Sequence, residues 1–227
     1  MRLARENKLN LEELQKITGT GSGGRITKRD LELYLEKRTK KEESSLQPIE
    51  RLQMTGMRKA IADNMVRSFY EAPHATLITE IDITDVMQCI QKEKQNFLEK
   101  YQAKLTLTSF IARALVKALQ EFPLLNSSLD KDTILMKRFI NLGIAVSVEQ
   151  GLLVPVLKGA QELSLPKIAQ GISDLSHRAR TGKLVPDDVI EGTITITNFG
   201  MSGVQIGIPI IRYPEVAIIG VGASYRK

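Results

Sequence analysis

The sequence predicts a layered α/β domain, a mixed sheet with helices packed on it, preceded by a small all-helical unit. Three patterns carry that reading. Apolar residues recur at four-residue spacing in "GMRKAIADNMVRSFYEA" and cover much of "LTSFIARALVKALQEF", the period of a helix. They alternate or run together in "ATLITEIDIT", "TILMKRFINLGIAVSVE", "TITIT" and "EVAIIGVGAS", as strands require. Between the small unit and the rest lies "KRTKKEESSLQP", which is charged, lacks an apolar period and closes on Pro48; it reads as a solvated linker.

Each element follows in order. "MRLARENKL" places Met1, Leu3, Ala4 and Leu9 on one side, and "NLEELQKIT" makes a turn or short helical piece from Asn10. Beyond "GTGSGGRITKRD", Thr27 and Asp30 form a T-x-x-D start signal: a hydroxyl for free N–H groups and a carboxylate for the helix dipole. Leu31, Leu33, Tyr34 and Leu35 give that helix its apolar side. A unit this small buries little and is expected to be marginally stable. In the large segment Thr55 caps a helix striped by Met57, Ile61, Met65 and Phe69, and Pro73 ends it. "ATLITEIDIT" follows as a strand. Thr84 opens a helix with Val86, Ile90, Phe97 and Tyr101; Cys89 occupies an apolar position in it, which predicts a buried, inert thiol. The helix that stops at Pro123 is apolar over most of its surface, so it is expected at the centre of the core. Two apolar runs parted by Glu149-Gln150-Gly151 predict a hairpin-like turn, and Ser164 starts a helix carrying Ile168, Ile172, Leu175 and Ala179.

The 227 residues are 42% apolar and 26% charged, ordinary for a globular protein. No apolar run approaches the roughly 18–20 residues of a membrane span, and the first residues lack the apolar centre of a secretory signal. A single cysteine excludes an internal disulfide framework and a cysteine-built zinc site, and fits a reducing, cytoplasmic or organellar-matrix setting. The net charge of +6 permits acidic partners without demanding them.

Four features invite a functional reading. Gly19-x-Gly21-x-x-Gly24 has the spacing of a dinucleotide loop, but the residues before it read as helical or turn-like, and Gly24-Arg25-Ile26 stands where a phosphate loop needs G-K-[ST]. A tight connection between two helices suits these glycines better. Arg25, Lys28 and Arg29, with Arg2 and Arg5, make a basic cluster open to three readings: a solvated face, a nucleic-acid surface or a grip on an acidic protein. His74 and His177 have no serine–acid or metal-ligand arrangement nearby in sequence. Thr195 and Thr197 share a side of a period-two strand, and Thr197 ends at the mouth of the glycine-rich "NFGMSGVQIGIP". A hydroxyl there suits a developing oxyanion, although threonine also simply suits a strand edge.

"LARENKLNLEELQKITGTGSGGRITKRDL" resembles the peripheral subunit-binding domain of dihydrolipoamide acyltransferases, the core components of 2-oxoacid dehydrogenase complexes. "TGMRKAIADNM", "APHATLITEIDIT", "EFPLLNSSLD", "NLGIAVSVEQGLLVPVLKGA" and "GTITITNFG…PEVAIIGVGAS" resemble successive parts of that family's acyltransferase domain. The resemblance implies a subunit-binding domain over 1–36, a linker over 37–48 and an acyltransferase domain over 49–227 with a chloramphenicol acetyltransferase-like fold. It implies transfer of an acyl group between dihydrolipoamide and coenzyme A, in trimers that build larger cores, with no metal, nucleic acid or membrane involved. "GVGASY" points toward acetyl-transferring members, of pyruvate or acetoin type. Thr197 matches the family's oxyanion-stabilising hydroxyl. Arg2, Arg5, Arg25 and Lys28 match basic residues that grip the dehydrogenase and dihydrolipoamide dehydrogenase components, while one further basic position falls on Met1. The family's general-base histidine lies in an H-R-x-x-D-G motif that neither His74 nor His177 matches and that these 227 residues lack; a lipoyl domain is likewise missing. The chain alone is therefore expected to be inactive as a transferase, and a non-catalytic scaffold or subunit-binding protein is the alternative.

Overall fold

The structure is a computed structural model describing residues 13, 16–45, 52–54, 56–149 and 151–226. The chain divides into two compact units, Met1–Gln53 and Met54–Lys227.

In the first unit the glycine segment turns back on itself. The Gly21 N–H donates to the Arg25 carbonyl at 2.9 Å, and Gly23 and Gly24 hold φ of +72° and +75°. Of the three spaced glycines only Gly24 needs the left-handed region. The other two are needed for closeness: a Cβ on Gly19 would stand 2.5 Å from the Gly24 carbonyl oxygen, and one on Gly21 2.7 Å from that of Arg25. Helix α1, Lys28–Ser45, starts beyond Thr27. Its entry is locked by Asp30, whose carboxylate accepts from the N–H and hydroxyl groups of both Thr20 and Thr27, at 2.8–2.9 Å. Ile17 and Leu31 are buried against Tyr34 and Leu35, whereas Leu33 is exposed. The helix runs on to Ser45, through residues whose composition reads as linker. A run of good helix formers interrupted only by Thr39, "LEKRTKKEE", accounts for that continuation even without an apolar side.

The second unit contains α2 (Gly56–Glu71), α3 (Thr84–Tyr101), α4 (Leu107–Glu121) and α5 (Leu165–Arg180). Its strands are β1 (Ser127–Asp130), β2 (Thr133–Met136), β3 (Leu142–Ile144), β4 (Val146–Val148), β5 (Gly151–Leu153), β6 (Val156–Leu157), β7 (Ile194–Asn198) and β8 (Ile218–Val221). The central sheet has the order β6-β3-β7-β8, with β7 parallel to both β3 and β8, and β6 antiparallel to β3. On either side of the predicted turn, β4 and β5 pair antiparallel, Val148 opposite Gly151.

The core lies between this sheet and helices α4 and α5. Ala112, Val116 and Leu119 from α4 and Ile168 and Ala179 from α5 meet Leu142, Ile144, Ile194 and Ile196. Each such large aliphatic side chain contributes about 1.5–3 kcal/mol by leaving water. Helix α4 is capped reciprocally: the Ser109 N–H donates to the Thr106 hydroxyl and the Thr106 N–H to the Ser109 hydroxyl.

Two expectations fail here. "ATLITEIDIT" joins no strand ladder among the described residues, and Leu77 is 98% exposed. Alternation marks a segment able to pair; only a neighbouring strand makes it a sheet. Cys89 is exposed, because α3 is covered on one side only and buries no residue completely. Thr55 lies outside the described residues; the apolar stripe after it is mostly uncovered, with Met57, Met65 and Phe69 all exposed. Among the described residues no helix is long and apolar enough to cross a membrane.

Candidate functional site

Strand β7 alternates as its sequence demands. Ile194 and Ile196 enter the core, while Thr193 and Thr195 are buried in polar company: Thr193 with Asn141, and Thr195 with Glu215. Thr197 comes next on this side, half-buried and level with Gly220 of β8 in the parallel register. Its hydroxyl has no hydrogen-bond partner among the described residues. A free hydroxyl at a strand end is able to donate to an incoming oxygen without first breaking a bond.

The chain around Thr197 is firmly held. The Asn198 carboxamide donates to the Thr108 hydroxyl in the first turn of α4 at 3.1 Å, and its oxygen accepts from the Gly200 N–H. The loop that follows folds back over β8: the Phe199 N–H donates to Val221 O, and the Ala223 N–H to Val204 O. Glycines make the fold-back possible. A Cβ on Gly222 would sit 2.0 Å from Gln205 O, and one on Gly200 2.3 Å from Gly222 O.

At the start of β7 lies a second polar group that the sequence reading passed over. Glu215, 4% exposed, accepts a 2.6 Å hydrogen bond from Thr195 and stands 3.7 Å from Arg212. Burial pushes its carboxyl above the usual carboxylate range, only partly offset by the Thr195 hydroxyl, Arg212 and Lys137. Lys137 is pushed down by burial, opposed by the charge of Glu215. The signal for this cluster was an acidic residue directly before an apolar strand, in "PEVAIIG".

The histidines stand apart from this arrangement. His74 Nε2 accepts a 2.8 Å bond from the Ile211 N–H, which occupies the lone pair a base would need. His177 is exposed in the last turn of α5. Of the four basic residues expected to bind a partner, Arg2 and Arg5 lie outside the described residues. Arg25 and Lys28 are both exposed on the first unit, Arg25 beside the glycine turn and Lys28 in an exposed 3.7 Å pair with Glu32.

A mixed sheet of this topology, covered by helices, has the architecture of acyltransferase catalytic cores. Residues 46–227 match the family model described as the 2-oxoacid dehydrogenases acyltransferase (catalytic domain), and residues 2–32 match the e3 binding domain. The chain is 37% identical to the dihydrolipoyllysine-residue acetyltransferase component of the Bacillus subtilis pyruvate dehydrogenase complex, over 95% of this chain and 53% of that protein. It is 39% identical to the corresponding component of the acetoin cleaving system of the same organism, over 94% and 54%, and 37% identical to its branched-chain lipoamide acyltransferase, over 100% and 59%. Among solved structures, a probable dihydrolipoamide acetyltransferase from Listeria monocytogenes superposes with a TM-score of 0.76 at 36% identity, over 79% of this chain and 76% of that one. The cubic core of a pyruvate dehydrogenase multienzyme complex gives 0.77 at 31%, over 82% and 77%. The chain belongs to the 2-oxoacid dehydrogenase acyltransferase family. It spans a little over half the length of these curated relatives, and its near-equal identity to all three does not favour one acyl group.

Proposed function

We propose that this chain contributes the substrate-steadying part of a dihydrolipoamide acyltransferase, acting between dihydrolipoamide and coenzyme A in a 2-oxoacid dehydrogenase complex. The observation that carries this reading is the free, half-buried hydroxyl of Thr197 at the carboxyl end of β7. In the reaction a thiol sulfur attacks the thioester carbonyl while a base takes its proton. The carbonyl oxygen gains charge, and a hydroxyl donating to it lowers the barrier. Collapse of the tetrahedral intermediate expels the other sulfur, which receives the proton. Thr197 serves as that donor. The base is a histidine of the H-R-x-x-D-G type from outside these 227 residues, since His74 is engaged by Ile211 and His177 lies at the end of α5.

The test is acetyl transfer from acetyl-CoA to dihydrolipoamide. The chain alone is expected to be inactive, and the same chain extended by a relative's H-R-x-x-D-G segment active. Turnover by the unextended chain would remove the outside base; an inactive extended chain that is folded would remove the transferase reading.

The first unit supports a second activity, docking of dihydrolipoamide dehydrogenase and the 2-oxoacid dehydrogenase component. Its match to the e3 binding domain and the exposed Arg25 and Lys28 favour that reading, in which a homotrimeric or larger core gathers these enzymes. A folded chain that captures neither component would leave it without support. A cytoplasmic setting is part of the same proposal.

A further inference from the structure

A cavity of about 300 Å³ lies beside the first residues of β7, walled by Lys137, Phe139, Gly192, Arg212, Tyr213 and Glu215, with Glu191 and Pro214 completing it. Two buried polar atoms in its wall lack hydrogen-bond partners. Glu215 uses Oε2 for the Thr195 hydroxyl, which leaves Oε1; Arg212 uses Nη2 for the Val189 carbonyl, which leaves Nη1. These two atoms are 3.7 Å apart, too far for a direct hydrogen bond. Gly192 packs directly against both atoms: a Cβ there would sit 2.7 Å from Oε1 and 2.9 Å from Nη1, so no side chain fits at this position.

We propose that this cavity is a binding site for a hydroxyl group, which donates to Glu215 Oε1 and accepts from Arg212 Nη1. An oxygen about 2.8 Å from each atom fits a gap of this width, and it satisfies both with one group. Other chemistries serve only half of the site. A carboxylate brings no proton for the ionised Glu215, and an ammonium has no lone pair for Arg212. The walls already carry both signs, Lys137 and Arg212 against Glu215 and Glu191, the last paired outward with Lys158 at 3.3 Å. A hydroxyl also serves Glu215 in either protonation state, because it donates and accepts. The volume exceeds the roughly 30 Å³ share of one water, so solvent and a small polyol are both possible sources of the hydroxyl. The inference concerns the start of β7 and does not rest on the acyltransferase reading.

Crystals of the intact 227-residue chain test it, first grown and cooled without any polyol and then soaked in ethylene glycol. The expected result is an oxygen within hydrogen-bond distance of both Glu215 Oε1 and Arg212 Nη1. A glycol hydroxyl replacing it after the soak assigns the site to a solute; an unmoved water assigns it to solvent. A direct Glu215–Arg212 hydrogen bond with nothing between the two groups would overturn the proposal. So would a saturating shift of the Gly192 amide on titration with inorganic phosphate, since that marks an anion site.

Discussion

The Thr195 hydroxyl donates a 2.6 Å hydrogen bond to the carboxylate of Glu215, twenty residues later in the chain and almost fully buried. This bond ties the interior of β7 to the residue just ahead of β8, so it links the two strands by a side chain as well as by their shared ladder. A carboxylate in such a place costs stability whenever it is ionised.

That cost has a pH signature. The folded-state value of Glu215 lies above the ordinary 4.5, so the folded chain holds this proton more tightly than the unfolded one. Its contribution to stability is fully present below about pH 4.5 and is lost as pH rises through the folded value. Glu215→Gln should flatten this dependence. Thermal unfolding followed by circular dichroism across pH 4–8 measures it, and parallel curves for the two proteins would refute the assignment.

Gly143→Ala attacks the same bond from the neighbouring strand. The added methyl would lie 2.6 Å from Thr195 Oγ1 and 2.9 Å from Val154 Cγ1. Thr195 has no room to turn without abandoning Glu215. We expect a loss of about 1–3 kcal/mol, the usual range for overpacking. A urea midpoint equal to that of the unsubstituted chain would show that the contact relaxes freely.

In the first unit Asp30 is the fastener of the glycine turn. Backbone N–H groups of Thr20 and Thr27, then their hydroxyls, hold its carboxyl well below the ordinary 3.8. A depressed acid stabilises the fold above its unfolded value, and that stability disappears as pH falls below about 3.8. Asp30→Ala should lose the Thr20 and Thr27 amide signatures in NMR spectra already at neutral pH. Unchanged signatures would mean that the turn holds itself.

Thr197→Ala removes a hydroxyl that bonds to nothing in the described structure, so stability should change by less than about 0.5 kcal/mol. In the chain extended by a histidine-bearing segment, transfer should fall by about 100- to 1000-fold. Thr197→Ser, which keeps a donor, should retain most of the rate. Equal loss in both variants would point to packing rather than hydrogen bonding.

Arg25→Ala together with Lys28→Ala should slow capture of dihydrolipoamide dehydrogenase, with an effect that shrinks as salt is raised. The Lys28–Glu32 pair is exposed and contributes little to the fold, so unfolding of the first unit should be unaffected. Capture that is insensitive to both substitutions would move the contact elsewhere.

Local rules were enough for much of this molecule. The period of α4 and α5, the hairpin after Val148 and the Thr27–Asp30 start signal all rest on spacing or turn chemistry, which act over a few residues; Thr197 is singled out by the family resemblance. The family resemblance added order over long distances. The Cys89 and "ATLITEIDIT" expectations went astray for one reason: periodicity states which side of an element is apolar, but not whether anything covers it. Cys89 sits on an uncovered part of α3, and Leu77 and Ile81 alternate without a neighbouring strand.

The sequence by itself therefore determined the core helices, the hairpin after Val148 and the glycine turn. Only the tertiary structure decided that Lys137, Gly192, Arg212 and Glu215 share one cavity, and that a buried carboxylate meets Thr195. Those residues are spread over nearly eighty positions. The parallel pairing of β7 with β8 and the return of the 199–214 loop bring them together, and no local pattern encodes a contact that depends on strand order.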